Sequence, residues 1–168
     1  MRGWRFRPHG TIVDNETFGG VTELEIRQAV RLRYAVSMLT IHQSRNGDVV
    51  NPAEAAEQLA EAISPLIRNT DLIEIGLYDA TVRVLLVGGE LEDLRAIIQR
   101  IIAQISHHRF DERQTRVVLS IGGSSFPATA GSSLELFLQA DALAAGARQT
   151  LGSHSTYQLP DRFDEAPA

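Results

Sequence analysis

Val118-Leu119-Ser120-Ile121-Gly122-Gly123-Ser124-Ser125-Phe126-Pro127 is the stretch on which the reading of this chain turns. The apolar run from Arg116 to Ile121 predicts a buried strand, and Gly122-Gly123 predicts its end. Downstream, Ser132 and Glu135 stand at capping-box spacing, in which two side chains tie down free N–H groups of a helix's first turn. That helix is expected to run to about Ala147. Upstream, Glu90 to Ser106 carries Leu91, Leu94, Ile97, Ile98, Ile101, Ile102 and Ile105 at helical spacings. Leu94, Ile98, Ile101 and Ile105 are expected to face a sheet.

Further outward, Leu72 to Tyr78 and Val82 to Val87 are apolar runs separated by Asp79-Ala80-Thr81, the pattern of a β-hairpin. Asn51 as cap, Pro52 at the first helical position and Glu54 in the first turn open another helix. Its inward stripe is Ala56, Leu59, Ile63 and Leu66, and Pro65 should end or distort its last turn. Arg45-Asn46-Gly47-Asp48 reads as a turn, and Val36 to Ile41 as a buried strand. Thr22 and Glu25, again at capping-box spacing, mark the start of the first helix. Ser155 to Leu159 can close the sheet as an edge strand. The expected order is α-β-α-β-β-α-β-α-β. One tight hairpin among alternating strands and helices makes the sheet partly antiparallel. The fold expectation is therefore α/β (α+β), three layers, α/β/α, around a central mixed, largely antiparallel sheet. Residues 1–13 read as a basic leader, 14–159 as the folded body and 160–168 as an acidic tail.

Composition narrows the function. The chain has 168 residues, 43% hydrophobic and 22% charged, which suits one ordinary globular domain and excludes wholesale disorder. A formal net charge of −5 argues against a general nucleic-acid binder. Cysteine is absent, so there is no disulfide framework, thiolate zinc site or cysteine nucleophile. Lysine is absent too: all 16 basic residues are arginine, which removes P-loop and Schiff-base lysine chemistry. No stretch has the length and apolarity of a membrane span, and the N-terminus lacks the apolar core of a signal peptide. The expected location is the cytoplasm.

Four segments in order resemble the GGDEF family, the diguanylate cyclase domains of bacterial signalling. Val118 to Pro127 is similar to the family's V-S-I-G-V-A-x-x-P segment. Ala140-Asp141-Ala142-Leu143 followed by Ala147-Arg148 resembles its A-D-x-A-L-Y-x-A-K helix. Asp14-x-x-Thr17 resembles its D-x-L-T-G-L opening, and Arg68-Asn69-Thr70-Asp71-Leu72 resembles the R-x-x-D-L before its signature loop. The resemblance covers roughly Asp14 to Leu159.

The departures fall on the catalytic positions. Where the signature loop should stand, this chain has Leu77-Tyr78-Asp79-Ala80-Thr81. Both glycines are gone, so the backbone there cannot approach a nucleotide closely. The family's metal-holding acidic residue is matched by Ala80, and its first-strand D-x-D by Thr40-Ile41-His42. A hard divalent cation bridging phosphates wants carboxylate oxygens, and these positions offer none. The glycine-aspartate that contacts guanine in the family falls at Pro52-Ala53. The resemblance thus implies a catalytically inactive domain with no catalytic residues, no metal site and no cofactor.

One constellation survives. In the family an R-x-x-D before the signature, completed by an arginine on the following helix, forms an inhibitory site for cyclic di-GMP. Arg68 and Asp71 stand in that frame, and Ile98-Gln99-Arg100-Ile101 resembles the helix segment, so Arg100 matches the third residue. Guanidinium pairs bidentately with phosphate or guanine O6/N7, and a carboxylate accepts from guanine N–H groups. The bland reading of Arg68 and Asp71 is an ion pair near a helix end, worth ~0.3 kcal/mol. Arg100 equally suits a solvated helix face, and Arg148, which matches a triphosphate-contacting lysine of the family, reads as a surface residue because the phosphate cradle is gone. His42 reads as structural, and His107-His108 as neighbours of helix-end carbonyls. The serines at 124–125 and 132–133 lack a nucleophile-elbow context, and Trp4 and Phe6 read as part of a disordered terminus or of a packed leader-helix fragment. Two functions remain: a cyclic di-GMP receptor, or a nucleotide-free scaffold for dimerisation or protein docking. A protein partner or homodimer is expected with either, and no nucleic acid or membrane.

Overall fold

The computed structural model describes residues 9–45, 51–76, 79–110, 116–150, 152 and 154–163. Along them run β1 (Thr11–Val13), α1 (Asn15–Leu32), β2 (Val36–Arg45), α2 (Pro52–Ile63), β3 (Leu72–Ile75), β4 (Val82–Val87), α3 (Leu91–His107), β5 (Val117–Phe126), α4 (Ser133–Gln149) and β6 (Thr156–Gln158). The strands form one open six-stranded sheet in the order β1-β3-β4-β2-β5-β6. The four central strands pair antiparallel, while both edge strands join in parallel. The mixed, largely antiparallel sheet expected from the sequence is the one observed.

Period-two alternation sends the sheet's apolar side chains to two faces. Leu39, Ile41, Val82, Val84 and Leu119 meet Ala56, Leu59 and Ile63 of α2 and Leu94, Ile98, Ile101 and Ile105 of α3. On the opposite face, Val36, Met38 and Leu85 meet Phe18 and Ala29 of α1 and Leu136 and Ala140 of α4. That makes three layers. All four α3 residues expected against the sheet are buried, whereas Ile67 is buried in place of the partly exposed Leu66. Pro65 lies in a 3-10 turn over Ser64–Leu66, which ends α2 as expected.

Several boundaries differ from the sequence reading. The first helix starts not at Thr22 but seven residues earlier, where the Asp14 carboxylate accepts the Thr17 N–H at 2.7 Å. That bond, with a further one to the Thr17 side chain, holds the Asp14 carboxyl below its ordinary value. Thr22 is buried mid-helix and donates its hydroxyl to the Phe18 carbonyl at 2.7 Å, so its side chain serves the preceding turn instead of a cap. The last three residues of the expected leader form β1, which is too short to display alternation in the sequence. The start of the expected tail also belongs to the body: Phe163 N–H bonds the Ala128 carbonyl at 3.0 Å and Arg162 pairs with Glu92. Arg45, expected in a turn, is the last residue of β2. The rest of that turn, residues 1–8 with Trp4 and Phe6, Leu77 and Tyr78 of the loop, and 164–168 lie outside the described residues. Of the capping box at α4, Ser132 Oγ accepts the Glu135 N–H at 3.1 Å, but the Glu135 carboxylate reaches past Ser132 to the Gly131 N–H at 2.7 Å.

Gly122 and Gly123 do not end β5. They sit inside it, opposite Thr40 and Leu39 of β2. Gly122 carries α4 directly over its backbone, against the Ala140 carbonyl and the Ala144 nitrogen. Ala140, Ala144 and Ala147 of α4 are buried toward it at spacings of four and three. The glycine is there for close approach, not for a turn.

Candidate functional site

Two places carry polar side chains on a frame that the fold makes rigid. The first lies where the end of α2, the start of β3, the end of β4 and the face of α3 meet. There Arg68, Asp71 and Arg100 line one cavity of about 440 Å³. Asp71 is 3% exposed, and both its oxygens are engaged: Oδ2 accepts the Arg68 N–H at 2.9 Å and Oδ1 the Val87 N–H at 3.0 Å. Burial pushes its carboxyl up, and the two backbone bonds offset part of that. Asp71 is thus a brace that fixes the turn carrying Arg68 against the end of β4. The Arg68 side chain is exposed. Arg100 Nη2 donates to the Leu66 carbonyl, which lays its guanidinium against the same turn. The structure brings together all three residues that the sequence singled out, with one difference of role. Arg68 and Arg100 present guanidiniums, while Asp71 spends a lone pair of each oxygen on the backbone.

The second place was not legible as a site. Glu74, Arg83, Thr40 and Gly122 stand opposite one another on β3, β4, β2 and β5, in a single row across the sheet. Asp141 of α4 lies over this row. Arg83 reaches both acids: Nη1 to Glu74 Oε1 at 2.8 Å, Nη2 to Asp141 Oδ2 at 2.9 Å and Nε to Asp141 Oδ1 at 3.0 Å. Thr40 donates its hydroxyl to Asp141 Oδ1 at 2.6 Å. Burial raises the Glu74 carboxyl despite its bond from Arg83. Burial also pushes Asp141 up, but the bonds from Arg83 and Thr40 outweigh it and the carboxyl sits below its ordinary value. The sequence did contain a signal: Arg83 and Glu74 are charged residues in the middle of two adjacent apolar strands, L-I-E-I and V-R-V-L-L-V.

The neighbours of this row complete the picture. His42 Nδ1 lies 2.9 Å from the Thr81 hydroxyl. Burial, then the nearby Arg148, holds its imidazole below the ordinary value. Gln43 donates to the Ala80 carbonyl at 3.0 Å, and the Asp79 carboxylate accepts the Thr81 N–H at 3.2 Å. These bonds close the hairpin end onto β2. Among the described residues, no three His, Asp or Glu side chains gather as metal ligands, and no helix is long and apolar enough to cross a membrane.

No protein-family model and no curated protein matches this chain. Solved structures do. The chain is similar to the GGDEF domain of YfiN (TpbB) from Pseudomonas aeruginosa, with a TM-score of 0.77 and 22% identity over 89% of this chain and 96% of that one. The active GGEEF domain of a diguanylate cyclase from Vibrio cholerae follows at 0.73 and 16% identity, over 86% and 97% of the two chains. The coiled coil and GGDEF domain of DgcB from Caulobacter crescentus, in complex with c-di-GMP, gives 0.71 and 10% identity over 89% and 82%. At these TM-scores and coverages, this chain has the GGDEF-domain fold.

Proposed function

We propose that this chain is a catalytically inactive signalling domain that binds cyclic di-GMP in the cavity lined by Arg68, Asp71 and Arg100. One observation carries the reading: three residues picked out by motif spacing, two of them on one turn and the third on α3, line a single cavity. Arg68 and Arg100 supply forked donors for phosphate or guanine acceptors. Asp71 holds the turn in place, and a guanine N–H can use only the lone pairs that its backbone bonds leave. That DgcB was solved with c-di-GMP supports the choice of ligand. Calorimetry tests it. Hydrogen bonds to charged groups contribute ~1.5–3 kcal/mol, so Arg68→Ala should weaken cyclic di-GMP binding at least about tenfold. Cyclic di-AMP, whose adenine lacks the guanine N1–H and N2–H donors, should bind far more weakly. Absence of binding up to about 100 μM ligand, ~−5.5 kcal/mol, would sink the receptor reading.

Inactivity rests on the residues at the metal positions, which do not fit a divalent cation. Thr40 gives its hydroxyl to Asp141, His42 pairs with Thr81, and the Ala80 side chain has no ligand atom to offer. A guanidinium, Arg83, already supplies the positive charge between Glu74 and Asp141. With GTP and either magnesium or manganese, no cyclic di-GMP should form, and Ala80→Glu alone should not restore synthesis. Product detected from the unmodified chain would overturn this assignment.

The nucleotide-free scaffold has its own supporting observation. Arg100 and Asp71 are satisfied internally by Leu66, Arg68 and Val87. Two leucines one turn apart on α4, Leu134 and Leu138, are 66% and 60% exposed. The same calorimetry separates the two readings.

A further inference from the structure

We propose a second, separate ligand site: a pocket for a small aromatic carboxylate, held by Arg33 at the end of the sheet away from the hairpin. A cavity of about 570 Å³ opens between the last turn of α1, the start of α3, the end of β5 and the stretch after β6. That volume lies in the range of small-molecule pockets. Its walls are apolar and aromatic: Ala29 and Phe126 are buried, and Tyr34 and Leu91 line it with them. Val30 and Phe163 also line it and are 67% and 61% exposed, so apolar surface beside the cavity is left uncovered. Along β2 and β5, Val36 pairs with Phe126 whereas His42 pairs with Ser120, and the hairpin joins β2 at Ile41. The cavity therefore lies at the opposite end of the sheet from Ala80 and His42. Its lining has one residue, Glu92, in common with the Arg68–Arg100 cavity.

Arg33 marks this cavity as a site. It ends α1 at φ 58° and ψ 53°, and among the described residues no other non-glycine residue has a positive φ. A helix end of this shape favours glycine, which adopts it without a steric penalty. A long cation stands there instead, and residues kept in such a conformation concentrate at functional sites. Among the described residues, no ion pair or hydrogen bond engages its guanidinium. The other charged groups of the lining are occupied. Arg162 pairs with Glu92, and Glu90 caps α3, whose first turn favours a carboxylate. The walls are held in place as well. The Tyr34 hydroxyl donates to Glu25 Oε2 at 2.6 Å, and the Phe163 N–H bonds the Ala128 carbonyl at 3.0 Å. What the lining leaves unmatched is one forked cation among aromatic side chains. A guanidinium pairs bidentately with a carboxylate, and aromatic rings pack edge-to-face or offset. The complement is a flat ring that carries a single carboxylate.

The test is calorimetric titration of the full chain with indole-3-acetate. Its neutral amide, indole-3-acetamide, keeps the ring without the charge, and acetate keeps the charge without the ring. Ring signals of Tyr34 are followed by NMR in the same titrations. The expected result is saturable indole-3-acetate binding with a Kd below about 1 mM and movement of the Tyr34 signals. The amide and acetate should each bind at least about tenfold more weakly. Arg33→Gly should separate stability from binding. Glycine suits the left-handed backbone, so the variant should melt close to the parent temperature or above it, yet lose at least about tenfold in indole-3-acetate affinity. Arg33→Gln keeps a side chain on the same backbone and drops the charge, and it should lose as much, which assigns the loss to the guanidinium. The double variant Arg68→Ala/Arg100→Ala should bind indole-3-acetate as the parent does. No saturation up to about 5 mM, equal binding of acid and amide, unmoved Tyr34 signals, undiminished binding in the Arg33 variants, or loss of binding in the Arg68/Arg100 variant would each overturn the proposal.

Discussion

Arg83→Met is expected to cost about 3 kcal/mol of folding stability at neutral pH, the lower end of what breaking a buried ion pair costs. Methionine is shorter but keeps an unbranched, apolar stem, and it removes the guanidinium with its charge and N–H donors. Among the described residues, Glu74, whose side chain is 6% exposed, then loses its one hydrogen-bonded partner, and Asp141 keeps the bond from Thr40 alone. The loss should depend on pH, and the two acids agree on the sign. Glu74 has a raised carboxyl in the fold, burial being the largest cause, and without Arg83 it rises further. A raised acid stabilises the fold below its unfolded value of about 4, and that contribution disappears as pH climbs through the folded value. Asp141 is the opposite case. Its lowered carboxyl contributes stability above about 4 that is lost on acidification, and the variant forgoes most of it. Urea denaturation of parent and variant should therefore show a gap that is small near pH 4 and widens toward pH 7. A gap below about 0.5 kcal/mol at neutral pH would mean that water at the 25%-exposed guanidinium screens the pairs to the level of surface bridges.

Much of the fold was legible because its elements obey strong local rules. The α3 isoleucine stripe, the Asn51-Pro52 start of α2 and the hairpin pairing of β3 with β4 each follow from period, cap or turn chemistry. What was lost had weak or misleading local signals. Three residues of β1 cannot show a period, and they hold only because Thr11 and its neighbours pair with β3. Thr22 and Glu25 have capping-box spacing, yet Asp14 takes the cap because a helix from Asn15 buries Phe18, which a helix starting at Thr22 would leave outside the element. Local spacing proposed two starts and tertiary burial chose between them.

The candidate sites divide along the same line. Arg68 and Asp71 are three residues apart, but Arg100, 32 positions after Arg68, was joined to them only through the family resemblance. Arg83 and Asp141 are 58 residues apart, and nothing local joins them. Their contact exists only because the register sets Glu74, Arg83, Thr40 and Gly122 in one row and because α4 descends close enough for Asp141 to reach it. Long-range polar pairs of this kind need the topology first. A charged residue inside an apolar strand says that a partner exists without saying which.

Gly122→Ala should be the most damaging conservative change in the chain, costing about 3 kcal/mol or more. No positive φ is involved, so alanine fits the backbone conformation, and the entropy argument alone would favour it by about 0.4–1 kcal/mol. Sterics decide otherwise. A Cβ at this position would fall well inside contact distance of the Ala140 carbonyl oxygen and the Ala144 nitrogen, both backbone atoms of a helix that cannot swing aside like a flexible side chain. Overpacking a dense core costs about 1–3 kcal/mol when side chains can yield, and more when a helix must move. Lifting α4 would also draw Asp141 away from Arg83 and Thr40, so the loss should exceed the clash alone. Gly20→Ala is the matched control. Gly20 lies within α1 with nothing inside 4 Å of an added Cβ, and the change should stabilise by about 0.5–1 kcal/mol. Thermal and urea unfolding of the two variants should thus move in opposite directions from the parent. If Gly122→Ala stayed within about 1 kcal/mol of the parent, α4 would not be seated on β5 as closely as the Ala140–Gly122 contact requires, and Asp141 would have to reach Arg83 by some other path.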